Sequence, residues 1–429
     1  MRRALTHQAA GVSFHTGGWC WPRWLARGGL VTVSTAALLL AGCATGPTTP
    51  ARLTYSLEDL PASAVLVWPA PPEPARYAYA GSLTGERNFI ADSPSAGRLR
   101  SFGRWLAGLD DAERPVALQR PSAVLGDNRG RLYVSDASRQ AVLVFDKVAG
   151  QLLVWDKARG PTTFRSPSGL ALAPAGGLYV ADADLGAVYQ LDARGEPRAE
   201  IGRGLLGRPT GLAVDPVAGL LFVADTKAHD IKVFDTTGAL HHVIGSRGEA
   251  PGEFNSPTHL AWARGELYVT DTFNHRVQVL GGPGLRGPGS VSSRVIGARG
   301  LQLGDLVRPK GVAVDADGRI YVVESYYDSL LVYGAGGEFL LPIGAGAGLA
   351  GLVSAEVLAG TPSASSGAAS PVLSTAAGRF YLPAGVWVDA ENQVFVADMY
   401  KGRVVRLKFL ADPGSSDPAL RDKTHGAGG

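Results

Sequence analysis

"RPTGLAVDPVAGLLFVADTKAHDIKVFDTTGALHHVIG", residues 208–245, packs four short apolar stretches between turn formers. Pro209 opens the first, Asp225 closes the second, and Gly238 separates the third from the fourth. Runs of five or six residues that alternate or are wholly apolar, bounded by Gly, Pro, Asp and Thr, read as strands and not as helices.

The pattern repeats. The second strand returns as "LYVSD", "LYVAD", "LFVAD", "LYVTD", "IYVVE" and "VFVAD", ending at Asp136, Asp182, Asp225, Asp271, Glu324 and Asp398. The first strand returns after Pro121, Pro167, Pro209, Pro257, Pro309 and Pro383. The acids lie 46, 43, 46, 53 and 74 residues apart. Six four-stranded units at this period predict an all-β fold, a six-bladed β-propeller, because one unit cannot bury both of its faces alone.

The order Pro-x-Gly, apolar strand, Val-x-Asp, then Asn274-His275-Arg276 in the fourth unit resembles the NHL repeat, over about residues 77–410. The resemblance implies the propeller fold. It implies no single activity, since function on such a scaffold is set by its sites. The last unit, "RVVRLKFL" at 403–410, stops after three strands, while a spare strand-like segment, "RYAYAGSL" at 76–83, precedes the first. Pairing the two is expected to close the ring and remove exposed edges.

The ends read differently. Arg2, Arg3, Arg23 and Arg27 precede the apolar run "LVTVSTAALLL" at 30–40, followed by "LAGC". That order is a secretory signal, and the run is too short to span a bilayer. Its end resembles a bacterial lipoprotein box, which implies a signal peptide over 1–43 with Cys43 acylated (by a palmitate-type chain) as the mature N-terminus. Loss of the leader removes Cys20 and four arginines, leaving 37 Lys and Arg against 38 Asp and Glu. No disulfide can then form within the chain, and no basic face speaks for nucleic acid. Residues 44–76 read as a Pro-rich tether, residues 344–378 as a flexible insert with a short helix over 349–359 as the alternative, and 411–429 as a disordered tail. The expected place is the bacterial cell envelope, lipid-anchored on the outer membrane facing the periplasm, because Ala44 and not Asp follows the cysteine.

The cluster Asp271–Arg276 has the composition of a chemical site, yet its acid recurs in every unit. A periodic Asp at a strand end reads as a turn device that accepts backbone N–H groups. His275 is a poor metal ligand with no second His or Cys at ligand spacing. Function is therefore sought on the face shared by the openings of the first strands and the loops between second and third strands. Phe273, Tyr326, Tyr327 and Tyr400 fall in those loops of the last three units, and Arg208, Arg308, Lys310 and His259 flank the first strands. Aromatics beside Arg are typical of binding hot spots. The reading favours a monomeric scaffold or recognition propeller, without cofactor, metal or catalytic residues, that binds an envelope protein or other ligand through this face. The alternatives are a metal-dependent hydrolase or lyase at the channel mouth and a module for cell-wall glycan.

Overall fold

The computed structural model of the chain describes residues 51–58, 60–61, 63–90, 115–174, 176–344 and 377–410, together with the backbone of 351–354. The signal segment with Cys43 and the tail after 410 lie outside the described residues, as does most of the insert.

The described chain is a six-bladed propeller. Blade 3 shows the plan, with Pro209–Asp215 innermost, then Leu220–Asp225, Asp230–Phe234 and Leu240–Ile244, each antiparallel to the last. Blades 1, 2, 4 and 5 repeat it, their innermost strands being Pro121–Gly126, Pro167–Leu172, Pro257–Ala263 and Pro309–Val314. In blade 6, Pro383–Val388, Gln393–Asp398 and Arg403–Phe409 come from the end of the repeat region. Its fourth strand is Tyr77–Leu83, with Tyr77 opposite Phe409 and Leu83 opposite Val404. The innermost strands touch in a closed circle, blade 6 meeting blade 1.

The core lies between blades. One face of each sheet supplies Val, Leu and Tyr to meet the next; Tyr179, Val188 and Ile201 of blade 2 pack on Leu212, Val223 and Phe234 of blade 3. A larger cluster joins blade 5 to blade 6 and buries Trp68, Tyr77 and Tyr79 among Tyr321, Val332 and Leu407. Completing blade 6 thus covers apolar area as well as an edge.

Part of the predicted tether is folded. Ala64–Trp68 forms a strand that pairs with Tyr77 and Ala78 on one side and with the backbone of Gly351–Ser354 on the other. Blade 6 is therefore six strands wide. The physical reason is that "AVLVW" is an apolar run in its own right, and Leu66, Val67 and Trp68 are fully buried. Within the insert, Gly351–Ser354 is strand, not helix.

The turns between first and second strands share one local chemistry in blades 1, 5 and 6. Asp127 and Asp389 each accept two backbone N–H groups, and Asp315 accepts that of Arg319, between first and second strands. These Asx turns end at Gly130, Asn392 and Gly318, all with positive φ, as the type of turn demands.

Candidate functional site

The periodic acids are staples. Each is fully buried at the end of a second strand. Asp182 accepts the N–H groups of Arg165 and Ser166 before the innermost strand and of Asp184 and Leu185 after its own strand. Asp136 does the same for Gln119, Arg120, Ser138 and Arg139. Glu324 binds the N–H groups of Val307, Arg308 and Tyr326. A backbone bond accompanies each, from Ala137, Ala183, Thr226, Phe273, Ser325 and Tyr400 to the carbonyl of the strand-opening segment. One face of the propeller is thereby made of two loop classes tied together.

Asp271 follows the plan with added side chains. It accepts the Asn255 N–H at 2.6 Å and faces Asn274 Nδ2 at 2.8 Å and Arg276 Nε at 2.9 Å. His275 sits four residues after the acid at φ 56°, and Gln140, Gly186, His229, Asp328 and Gly402 hold the same left-handed place in the other blades. Its Nδ1 lies 2.6 Å from the Val307 carbonyl of the next blade. The Asn-His-Arg run is a turn lock, and among the described residues no group of three His, Cys, Asp or Glu comes together as a metal site needs.

The aromatics are presented on this face. Phe273, Tyr326 and Tyr400 are 55%, 58% and 69% exposed, while Tyr327 is half-buried. Tyr326 and Tyr327 meet edge to face with centroids 5.0 Å apart. Tyr400 meets Tyr381 at 5.0 Å. Tyr381 lies two residues before Pro383, in the other loop class, and is half-exposed. The two tyrosine pairs belong to adjacent blades, and Asp328 Oδ1 accepts the Leu382 N–H at 2.7 Å between them. Phe273 stands one blade further along, with no ring contact to either pair among the described residues.

The cations divide. Arg208 is exposed and pairs with Asp184 at 3.3 Å, in blades 3 and 2. Arg308 is exposed and Lys310 half-buried, both in blade 5. Burial, then Arg308 and Arg120, hold the Lys310 ammonium below its ordinary pKa. Arg120, also exposed, precedes the innermost strand of blade 1.

Below the face runs an axial cavity of about 460 Å³, lined by all six innermost strands and mainly apolar. Its upper end is narrow because blades approach closely there. A Cβ on Gly169 would lie 2.1 Å from the Thr210 carbonyl, and on Gly311 2.7 Å from that of Ala384. In blade 4 His259 replaces this glycine. Its N–H is taken by Thr270 Oγ1, which also bonds the Lys310 carbonyl at 2.7 Å. The imidazole enters the cavity, with Nδ1 buried and unpartnered. Burial, then Lys310, push its pKa down to about 4, so it is neutral near pH 7.

Fold and repeat together define an NHL-type six-bladed β-propeller. A family model described as a 6-bladed beta-propeller matches residues 212–279. The chain is 38% identical over 96 residues to the E3 ubiquitin-protein ligase TRIM32 of Homo sapiens, covering 21% of this chain and 14% of that protein. It is 31% identical over 144 residues to Protein brain tumor of Drosophila melanogaster, covering 33% and 13%. The chain thus spans a small fraction of these curated relatives. Among solved structures, an auxiliary nutrient binding protein from Bacteroides ovatus superposes with TM-score 0.51 at 12% identity, covering 82% of this chain and 77% of that one.

Proposed function

We propose that this chain is a lipid-anchored recognition propeller of the bacterial envelope that binds a protein partner through the face bearing Tyr326, Tyr327, Tyr381 and Tyr400. The observation that carries the reading is the exposure of two tyrosine pairs on neighbouring blades, beside cations at the axis. Soluble proteins seldom leave such rings exposed together without a use, and Tyr and Arg dominate binding hot spots. The Bacteroides neighbour is titled a nutrient-binding protein; that likeness is one of fold, and the reading rests on the face itself. Anchoring through Cys43 rests on the basic, apolar, Leu-Ala-Gly-Cys order of the leader, and residence at the outer membrane on Ala44 in place of Asp after the cysteine.

Two substitutions test the reading. Tyr326→Ala with Tyr400→Ala is expected to weaken partner binding at least about 100-fold, the loss of two hot-spot residues, with an unchanged melting curve. Unchanged binding removes this face from consideration. Cys43→Ser is expected to abolish fatty-acid labelling and release the protein from membranes; label that persists on the variant contradicts the anchor.

A further inference from the structure

The inner edge of this face has an unusual charge arrangement. The residue before each innermost proline is Arg120, Ser166, Arg208, Ser256, Arg308 or Leu382. The residue after it is Ser122, Ser168, Thr210, Thr258, Lys310 or Ala384. Ser168, Thr210 and Thr258 spend their hydroxyls on neighbouring backbone or hydroxyl groups. Lys310 alone brings an amino group to this ring, and Ala384 of blade 6 sets only a methyl between blade 5 and blade 1. Three cations therefore gather round the gap over Ala384, with Arg308 and Lys310 on one side and Arg120 on the other.

Among the described residues no salt bridge balances these cations; the Glu324 carboxylate acts on Arg308 only through space. The periodic acids nearby, Asp136, Glu324 and Asp398, are fully buried and spent on backbone N–H groups, Asp398 on Arg403 as well. Arg208, by contrast, has Asp184. Among the described residues the side chain of Arg120 reaches only the Met399 sulfur, at 4.0 Å, and neither Arg308 nor Lys310 forms a salt bridge, Glu324 acting on Arg308 from beyond contact. The three charges are close enough for both arginines to oppose protonation of Lys310. Like charges held together with one of them half-buried cost free energy, and an anion placed between them recovers it.

We propose that Arg120, Arg308 and Lys310 form an oxyanion site at the axial opening. This deepens the functional reading above and rests on it for the ligand's identity: the site takes a carboxylate or phosphate group borne by whatever the tyrosines hold. Arginine supplies planar forks for two oxygens and Lys310 a point charge toward the axis. The neutral His259 below adds a hydrogen-bonding group without adding charge.

The probes are inorganic phosphate and succinate, each compared with sodium chloride at equal ionic strength near pH 7.5, by thermal melting of the whole chain. Phosphate stabilises most proteins by exclusion from their surface, so the readout is the difference between variants. The wild type is expected to melt about 2 °C higher in phosphate, succinate or both at tenfold excess over its dissociation constant. Lys310→Met is expected to melt higher than wild type in chloride, since a repulsion is relieved, and to lose that extra rise. Arg120→Gln with Arg308→Gln, at two exposed positions, is expected to lose it as well and stands in should Lys310→Met fold poorly. Tyr326→Ala with Tyr400→Ala is expected to keep it, so failure of the tyrosine face and failure of the anion site are told apart. An equal rise in wild type and both charge variants, or no rise in wild type with either anion, overturns the site.

Discussion

Tyr77 is where ring closure can be measured most finely. Its side chain comes from the closing strand and is fully buried between Tyr321 of blade 5 and Phe409 of blade 6. The Tyr321 hydroxyl donates to Asp315 Oδ2 at 2.9 Å, so its oxygen is left to accept from the Tyr77 hydroxyl, 3.0 Å away. Tyr77→Phe removes the hydrogen bond to Tyr321 and leaves the ring contacts, at a cost of at least about 1 kcal/mol. Tyr77→Ala removes the ring and leaves a cavity between two blades, at a cost of about 3–5 kcal/mol. The same truncation at exposed Tyr326 is expected to stay within about 0.5 kcal/mol. Urea denaturation followed by tryptophan fluorescence reads all three. Tyr77→Phe and Tyr321→Phe are expected to couple by at least about 0.5 kcal/mol when combined. A Tyr77→Ala variant that loses less than about 1 kcal/mol, or strictly additive phenylalanine variants, would refute the placement of residues 77–83 as the fourth strand of blade 6.

Three further outcomes follow from single residues. Asp271→Ala leaves the Asn255 N–H and the Arg276 guanidinium without their buried acceptor, and a loss of about 3–5 kcal/mol is expected in the same denaturation assay. Gly169→Ala drives a methyl into the Thr210 carbonyl and is expected to cost about 2 kcal/mol or more, whereas Ala123→Gly, at the equivalent place in blade 1, should stay within about 1 kcal/mol. His259 has a pKa of about 4 in the fold against 6.5 when unfolded, so the unfolded chain binds the extra proton and stability falls as pH drops from about 6.5 to 4. His259→Gly is expected to remove up to about 3 kcal/mol of that acid-side loss and to change little above pH 7; a wild-type slope in the variant contradicts the buried neutral imidazole.

The propeller was legible because its local signals agree at every blade. Proline opens an innermost strand, an acid closes the next, and each acid has one job, so six repetitions overrode the chemical look of Asp271–Arg276. The orphan strand at 76–83 could be assigned by counting strands in the last unit. The strand Ala64–Trp68 could not, because Pro61, Pro69, Pro71, Pro72 and Pro74 around it dominate a composition-based reading, while the partner on its outer edge lies almost 300 residues away in an Ala- and Gly-rich segment. On the face, the exposed loop aromatics follow from the repeat register. Tyr381 stands at the opening of an innermost strand, a segment read for its cations and His259, with aromatics sought in the loops between second and third strands. The gathering of Arg120 with Arg308 and Lys310 depends on two blades meeting across a third that carries only alanine, which is a property of ring closure and not of any local pattern.

The claim that this face is the one that binds is tested most directly by photocrosslinking in living cells. A photoreactive amino acid placed at Tyr326 or Tyr400 is compared with one at Val217, which is 88% exposed in a turn between first and second strands on the opposite side of the ring. The account predicts the same discrete protein adduct from Tyr326 and Tyr400 and none from Val217. An adduct from Val217 alone, or equal adducts from both sides, would contradict it.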